Sequence, residues 1–455
     1  MADYSAINRV ISDIARNEER NLAILKELVS QPTVSAQGIG IREGANLVAK
    51  VLKDAGIQAE IYETAGNPVI FGQRSASPDK PTLLFYGHYD VQPPEPMELW
   101  LSDPFKPEVR EGRIWGRGVA DNKGQFLAHV LAVRAYVESR TELPVNVKFL
   151  LEGEEECSSP FLATFVQENL PLLKADIAVT SDGPMHPSGR PTMALGVRGI
   201  MTAQLRAKGA KKDYHSGNYG GVVPNPAWKL IHLLAGLKDE TGHISLPGFY
   251  DEVVPPTEKD RELLRALPFD REALLGEMGI EEFDGDPNIP YFEKIMFRPT
   301  FNICGFKSGY AGQGSKTIIP SEAIVKFDTR LVVNQDPEKI FAAFKEYIAK
   351  KDPNIEVSFL GSMKPSKTPS DSPAIPIVME ALKKAYDEEP LLLPTFGGSL
   401  PDYVFTKIMK IPSLIIPYAN ADENNHAPNE NLVLELYHKG IKASAHIIWG
   451  LQGLK

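Results

Sequence analysis

The segment LLFYGHYD at residues 83–90 indicates the fold most directly, because an unbroken apolar run there leads into a histidine and a carboxylate. Such a run is typical of a strand that is buried on both faces of a sheet. Similar runs occur at residues 145–151, 177–180 and 414–416. Segments with helical periodicity separate them, so the pattern predicts an α/β fold, with a mixed, mostly parallel sheet flanked by helices. The predicted helices are at residues 5–30, 44–55, 124–139, 160–170 and 374–387.

The pattern changes beyond residue 194, where apolar and polar residues begin to alternate. Alternation over residues 196–207 and 322–333 predicts half-exposed strands, and PNPAWKLIHLLAGL at 224–237 predicts a helix that begins after proline. The acidic, proline-containing segment 240–297 indicates a long excursion with short helices.

A Pro- and Ser-rich stretch at residues 362–373 predicts a linker that returns to the first domain. We therefore predict an inserted α+β domain at residues 198–368. The α/β domain would be formed by residues 1–197 and 369–455.

Length, composition and charge limit the classes of protein to which this chain could belong. At 455 residues the chain is long enough for two domains, and 43% hydrophobic with 24% charged residues is typical of a globular protein. The net charge of −10 argues against nucleic acid or an anionic membrane as partner.

The cysteines and the N-terminal segment indicate a compartment. Cys157 and Cys304 are the only cysteines, which predicts two reduced, mostly buried thiols rather than a disulfide framework. The N-terminal segment has helical spacing instead of an apolar signal core, and no stretch reaches the ~20 apolar residues of a membrane span. These features predict a soluble, cytoplasmic protein.

Ligand-type side chains follow each predicted strand. His88 comes after the first run, the acidic stretch EGEEE at 152–156 after the second, Asp182 after the third and His426 after the fourth. Because ligands bind beyond the carboxyl ends of the strands in an open α/β sheet, we expect these groups at one edge. Asp121 would join them from the N-terminus of a predicted helix.

Each of these residues alone has an ordinary explanation, since a lone histidine usually packs in a loop and Asp121 would usually cap a helix. Carboxylates gathered at one edge, however, repel one another unless cations neutralise them. Two histidines and three carboxylates, one of them bridging, suffice to hold two divalent ions about 3.5–4 Å apart. Mixed nitrogen and oxygen ligation suits zinc, with manganese or cobalt as alternatives.

Nine short motifs occur between residues 83 and 430, in the order GHYDVQP (87–93), GRGVADNKG (116–124), LEGEEE (151–156), SDG (181–183), YHSGNYGG (214–221), SKTIIP (315–320), FDTRLV (327–332), GGSLP (397–401) and NNHAPNE (424–430). In content and order they resemble the co-catalytic zinc peptidases, a family that contains carnosine dipeptidases, aminoacylase, succinyl-diaminopimelate desuccinylase and glutamate carboxypeptidases. The spacing and the HSG-x-YGG segment resemble the carnosine-dipeptidase branch best. The resemblance implies a zinc-exopeptidase-like catalytic domain with an inserted lid and dimerisation domain.

The resemblance also implies which residues bind metal. His88 and Asp182 would bind one ion, Glu156 and His426 the other, and Asp121 would bridge them. The peptide bond after Asp121 would be cis.

Two further acids would support the chemistry. Asp90 would accept the second N–H of His88 and fix its tautomer. Glu155 would be the general base, which takes a proton from metal-bridging water and returns it to the leaving amine.

Four residues of the inserted domain or its surroundings match substrate-contacting positions of the family. His215 would stabilise the oxyanion in the partner subunit of a homodimer, and Arg330 would clamp the substrate carboxylate. Thr317 and Ser399 would make further substrate contacts. Without the resemblance, His215 would be an ordinary exposed histidine, and Arg330 would equally well be part of a surface ion pair.

Two departures from the family concern the loops. Cys157-Ser158-Ser159 follows the glutamates where the family usually has a glycine, which affects the geometry of this loop. Asp402 follows GGSLP and is predicted to shape a pocket unlike that of the dipeptidases.

The implied activity is hydrolysis of a peptide or amide bond adjacent to a free carboxylate, with a dipeptide as substrate. An N-acyl-amino-acid deacylase, or another small-amide hydrolase on the same scaffold, is the alternative. A non-catalytic metal- or peptide-binding relative is a third possibility, which the intact set of ligands and base disfavours.

Overall fold

The computed structural model describes residues 4–454, which divide into two units. The first unit contains the residues up to Gly196, Lys367–Pro394 and the chain from Pro401 onward. The second unit contains Val197–Ser366 and Thr395–Leu400. No helix within residues 4–454 is both long and apolar enough to span a membrane.

The helices are, in chain order, α1 (Tyr4–Arg16), α2 (Glu18–Ser30), α3 (Ile41–Asp54), α4 (Lys123–Glu138), α5 (Leu162–Glu168), α6 (Leu170–Leu173), α7 (Ser216–Tyr219), α8 (Pro226–Ala235), α9 (Glu258–Ala266), α10 (Arg271–Met278), α11 (Tyr291–Phe297), α12 (Pro337–Lys351), α13 (Ala374–Tyr386) and α14 (Leu434–Gly450). A 3-10 turn occupies Glu155–Cys157 and a π-helix occupies Val404–Met409.

The strands are β1 (Gln58–Tyr62), β2 (Val69–Arg74), β3 (Thr82–His88), β4 (Glu108–Arg110), β5 (Arg113–Trp115), β6 (Asn146–Glu152), β7 (Ile177–Thr180), β8 (Thr192–Ala194), β9 (Gly196–Val197), β10 (Gly199–Lys208), β11 (Tyr214–His215), β12 (Asn302–Ser308), β13 (Ile318–Ile319), β14 (Glu322–Leu331), β15 (Glu356–Met363), β16 (Ser366–Lys367), β17 (Leu391–Leu393), β18 (Ser413–Ile415) and β19 (Asn431–Val433).

The first unit is built on an eight-stranded sheet in the order β1-β2-β6-β3-β7-β18-β8-β17. The four neighbouring strands β6, β3, β7 and β18 run parallel, and antiparallel pairing occurs at β1–β2, β2–β6 and β18–β8. The predicted mixed, mostly parallel sheet is therefore confirmed.

Both faces of this sheet are covered, which explains the unbroken apolar run in β3. Leu83 and Phe85 belong to a core that includes residues of α1, α4, α13 and α14. Leu84 and Tyr86 point the other way and pack with α5 and the π-helix. A strand with two buried faces has no position for a polar side chain until its end.

The second unit contains an antiparallel sheet in the order β12-β14-β10-β15. Strands β10 and β14 alternate between buried and half-exposed residues, as their sequences predict. The buried side chains, including Leu205 and Phe327, pack against α8 and α12. One face of the sheet thus builds the core of this unit.

Three local predictions differ from the structure. The predicted helix 5–30 is interrupted at Asn17, whose side-chain amide donates to the Asp13 carbonyl oxygen at 2.8 Å. The predicted linker 362–373 begins inside β15. Cys157 and Cys304 are exposed rather than buried, because one lies in a turn and the other on the edge strand β12.

Candidate metal centre

The carboxyl ends of the parallel strands carry the ligand-type residues to one edge of the sheet. His88 is the last residue of β3, Asp182 lies two residues beyond β7, and Glu156 lies in the turn that follows β6. His426 belongs to the loop between β18 and β19. Parallel strands end on the same side, so side chains far apart in sequence meet there.

The first group consists of His88, Asp121 and Asp182, all of them buried. The Nε2 atom of His88 lies 3.1 Å from Oδ1 of Asp121 and 3.6 Å from Oδ2 of Asp182. This Nε2 atom is buried, and no described residue gives it a well-aligned hydrogen bond. A nitrogen lone pair that faces two carboxylates in this way is suited to a cation.

The second group consists of Asp121, Glu156 and His426. The Nε2 atom of His426 lies 3.2 Å from Oδ2 of Asp121 and 3.3 Å from Oε2 of Glu156. Asp121 therefore presents one carboxylate oxygen to each group. The structure brings all five predicted ligand residues together and places Asp121 between two sets of donors.

Asp121 reaches this position through an unusual backbone. The Asp121–Asn122 peptide bond is cis, as the resemblance implies. Asn122, rather than Asp121, occupies the N-cap position of α4. The Asn122 side chain accepts a hydrogen bond from the His88 N–H at 3.2 Å and donates to the Ser181 carbonyl oxygen at 2.6 Å, so it links the ends of β3 and β7.

Asp90 connects His88 to the glutamate turn. The Nδ1 atom of His88 lies 3.1 Å from the Asp90 carbonyl oxygen and 3.4 Å from its carboxylate. The same carboxylate accepts the backbone N–H groups of Glu155 and Glu156 at 3.2 and 3.1 Å. A proton held at Nδ1 leaves the Nε2 lone pair available.

Crowding of carboxylates dominates the electrostatics of the site. Burial raises the pKa of Glu155 well above its usual value, and the nearby carboxylates, Asp182 first, raise it further. Burial and the charge of Asp121 raise the pKa of Glu156 to about 7. Asp121 and Glu156 in turn raise the pKa of His426 to about 11. These groups need positive charge to remain ionised together.

Sequence reasoning missed Glu430 as a support for Asp121. Its buried carboxylate accepts the N–H groups of Gly118, Ala120 and Asp121 at 2.9, 2.9 and 3.0 Å. Arg117 donates to the same carboxylate at 2.9 Å. Glu430 is the last residue of the NNHAPNE motif, four residues after His426. Its place in that motif is the sequence feature that could have indicated a role for it.

Gln92 is a second missed residue. Its side-chain amide donates to Oε2 of Glu156 at 2.9 Å and so orients one of the predicted ligands. Gln92 belongs to the GHYDVQP motif, but nothing in the sequence pattern distinguishes it from a packed residue.

The loop at residues 157–159, where the sequence departs from the family, is closed by a polar contact. Ser158 and Ser159 adopt positive φ angles of 71° and 48°, a conformation that glycine usually supplies. Ser159 donates to the buried carboxylate of Glu152 at 2.9 Å, and Tyr86 donates to the same oxygen at 2.5 Å. Asp402 is buried and accepts a hydrogen bond from the Ser413 hydroxyl.

The second unit holds the remaining predicted residues in two pairs. His215 and Thr317 are exposed neighbours, because β11 pairs with β13 and the Ser216 N–H donates to the Thr317 carbonyl oxygen at 3.1 Å. Arg330, on β14, donates through Nη1 to the Ser399 hydroxyl at 2.8 Å. The roles of these residues stay predictions.

Comparison with known proteins identifies the family. The profile of peptidase family M20/M25/M40 matches residues 84–450. The human Beta-Ala-His dipeptidase is 31% identical over 387 residues, which cover 83% of this chain and 76% of that protein. The Cys-Gly metallodipeptidase of Schizosaccharomyces pombe is 28% identical and covers 96% of each chain.

Among solved structures, an M20 family metallo-carboxypeptidase from Sulfolobus solfataricus is 36% identical, with a TM-score of 0.91 over 95% of this chain and 99% of that one. These relatives confirm the predicted resemblance to the carnosine-dipeptidase branch. The chain belongs to peptidase family M20/M25/M40 and is a hydrolase that acts on peptide C–N bonds.

Proposed function

We propose that this protein is a two-metal dipeptidase that cleaves a peptide bond adjacent to a free carboxylate. The observation that carries the proposal is the pair of ligand groups that share Asp121 through its two different oxygens. Two such groups, side by side, are the arrangement that a dinuclear hydrolase needs.

The donor set favours two divalent ions, with zinc first and manganese or cobalt as alternatives. His88 and Asp182 would hold one ion, Glu156 and His426 the other, and Asp121 both. Elemental analysis after chelation and reconstitution with zinc should give two ions per chain. A single ion would contradict the bridging role of Asp121.

When bound, the ions polarise the scissile carbonyl and lower the pKa of water. Glu155 takes the proton from the attacking water and delivers it to the nitrogen of the leaving amine. It is suited to this role because it is adjacent to the ligand Glu156 yet is not in either ligand group. Asp90 keeps His88 in the tautomer that presents Nε2.

The residues of the second unit would bind the substrate. Arg330 would hold the substrate carboxylate, with Ser399 and Thr317 as further contacts, because a guanidinium offers two parallel donors to a carboxylate. His215 would donate an N–H to the oxyanion in the partner subunit of a homodimer. Its exposed position is compatible with such a role.

A homodimer through the second unit has support from its edge strand. On the edge strand β12, Ile303 and Phe306 are 48% and 43% exposed. An uncovered edge strand with apolar side chains is a surface suited to pairing.

We also propose a cytoplasmic location, which two free, exposed thiols fit. Cell fractionation would check it.

Substrate length separates the dipeptidase from its alternatives. The Sulfolobus relative is described as a metallo-carboxypeptidase, so longer peptides are a second candidate substrate, and N-acyl amino acids are a third. Mass spectrometry of the zinc- or manganese-loaded enzyme with dipeptides, tripeptides and N-acyl amino acids would decide. We expect the dipeptides to be cleaved fastest, whereas faster cleavage of tripeptides or release of the acyl group would contradict the proposal.

A further inference from the structure

The second unit has an open cavity of about 510 Å³ that no predicted role explains. Its walls come mostly from the excursion between β10 and β12, including the aromatic side chains of Tyr250, Phe283 and Tyr291. Cavities of this size commonly bind small molecules. The charge of its walls indicates which kind of ligand would fit.

Cations outnumber acids on the cavity walls. Arg198, Lys238, Lys294 and Arg298 line it, against only two acids, Asp284 and Asp286. Lys238 pairs with Asp284 at 3.3 Å, and Asp286 accepts from the Asn288 N–H and side-chain amide at 2.9 Å. The two acids therefore leave part of the positive charge uncompensated.

Arg198 and Lys294 are the cations of the cavity wall that form no ion pair with a described residue, whereas Arg298 pairs with Glu293 at 2.8 Å. Arg198 donates to the carbonyl oxygens of Gly397 and Arg298 at 2.8 and 3.3 Å, and Lys294 donates to that of Asp284 at 2.7 Å. Among residues 4–454, neither has a carboxylate oxygen within 4.0 Å. Burial, together with the charge of Arg330, lowers the pKa of Arg198 to about 10, and the charge of Asp328 offsets only part of this shift. An anion in the cavity would offset the free-energy cost of burying the Arg198 charge.

The cavity adjoins the residues proposed to hold the substrate carboxylate. Arg198 bonds to Gly397 and Arg330 bonds to Ser399, two residues further along the same turn. The N–H of Arg330 also donates to the hydroxyl of Thr300, a residue of the cavity wall, at 3.2 Å. A side chain attached to the carbon next to that carboxylate would therefore have the cavity within reach.

We propose that this cavity receives an acidic side chain, so that the enzyme prefers substrates whose C-terminal residue is aspartate or glutamate. The inference rests on the proposed function, which puts the substrate carboxylate on Arg330. Lys294 is the specificity-determining cation that can be changed without altering the turn at Gly397, which Arg198 holds.

The test compares Ala-Glu with Ala-Gln, which differ in charge and hardly in shape. We expect kcat/KM to be about tenfold or more higher for Ala-Glu, as a charge-assisted hydrogen bond requires. Lys294→Met should lower kcat/KM much more for Ala-Glu than for Ala-Gln and so remove most of this preference, and Lys294→Arg should retain it. The matched control is Lys339→Met, which removes an exposed cation of the same unit that pairs with Glu252 outside the cavity.

Three outcomes would overturn the inference while dipeptides are still cleaved. These are equal rates for Ala-Glu and Ala-Gln, a preference for Ala-Phe over both, or a glutamate preference that survives Lys294→Met. If no dipeptide is cleaved, the proposed function fails, and the cavity is tested by calorimetry with L-glutamate and L-glutamine. Binding of glutamate about tenfold tighter, lost in Lys294→Met, would then support an acidic ligand, and equal binding would exclude it.

Discussion

The metal centre of the first unit and the predicted substrate residues of the second unit differ in burial and in how many of their polar atoms contact other side chains. His88, Asp121 and Asp182 have 0%, 6% and 5% of their surface exposed, and their polar atoms contact one another. His215 and Thr317 are exposed, and Arg330 has only a hydroxyl as its close side-chain hydrogen-bond partner. In the first set the donor atoms lie within contact distance of one another, whereas the second set has donors that face no acceptor other than a hydroxyl or solvent.

The two sets should therefore respond differently to substitution. Changes in the first unit should affect metal content or the chemical step for every substrate. Changes in the second unit should depend on the substrate or on the partner subunit.

The largest effect is expected at Glu155. Glu155→Gln should lower kcat by about 10²–10⁴-fold or more while metal content stays near two, because a proton acceptor is lost and no ligand is. Glu156→Gln should instead lose metal, since Glu156 belongs to a ligand group. Glu154→Gln is the matched control from the same turn. Retention of activity in Glu155→Gln would assign the base to another acid.

His215→Ala should lower kcat by roughly 10²–10³-fold, because one donor to the oxyanion is lost. If His215 acts on the partner's metals, a mixed dimer of Glu155→Gln and His215→Ala chains has one site with both defects and one with neither. Activity should then recover up to half of the wild-type value. Verified mixed dimers that stay inactive would show that His215 does not act across the interface.

Glu430→Gln tests the hydrogen bonds that hold the backbone at Asp121 in the first unit. An amide has one acceptor oxygen, whereas the Glu430 carboxylate uses both of its oxygens to hold Arg117 and the backbone at Asp121. Zinc affinity, measured by competition with a chelator, should fall about 10–100-fold. Glu435→Gln, at an exposed glutamate that pairs with Lys439, should leave it unchanged.

The smallest effect is expected at Arg330 and should be selective. Arg330→Met should raise KM about tenfold for substrates with a free C-terminal carboxylate, because a charge-assisted bond is lost. C-terminal amides should be affected much less. Arg206→Met, at an arginine of the same sheet that pairs with Glu322, is the matched control. Equal losses on both kinds of substrate would give Arg330 a structural role.

The sequence alone predicted the sheet and the five residues at its carboxyl edge, because both depend on local pattern. A strand with two buried faces must be apolar until it ends, so His88 and Asp182 appear directly after such runs. Roles such as that of His215 came only from motifs, since nothing local distinguishes it from an exposed loop histidine.

The division of these residues into two ligand groups, and the contacts that hold them, depend on tertiary packing. Asp121 gives one oxygen to His88 and the other to His426, which lies more than 300 residues away in the chain. Glu430 contacts Arg117 across 313 positions, and the cation-rich cavity brings Arg198 together with the segment 240–297, for which the sequence indicated only an acidic excursion with short helices. Such contacts depend on which elements pack together, and periodicity, which reports the environment of each element separately, carries no information about that.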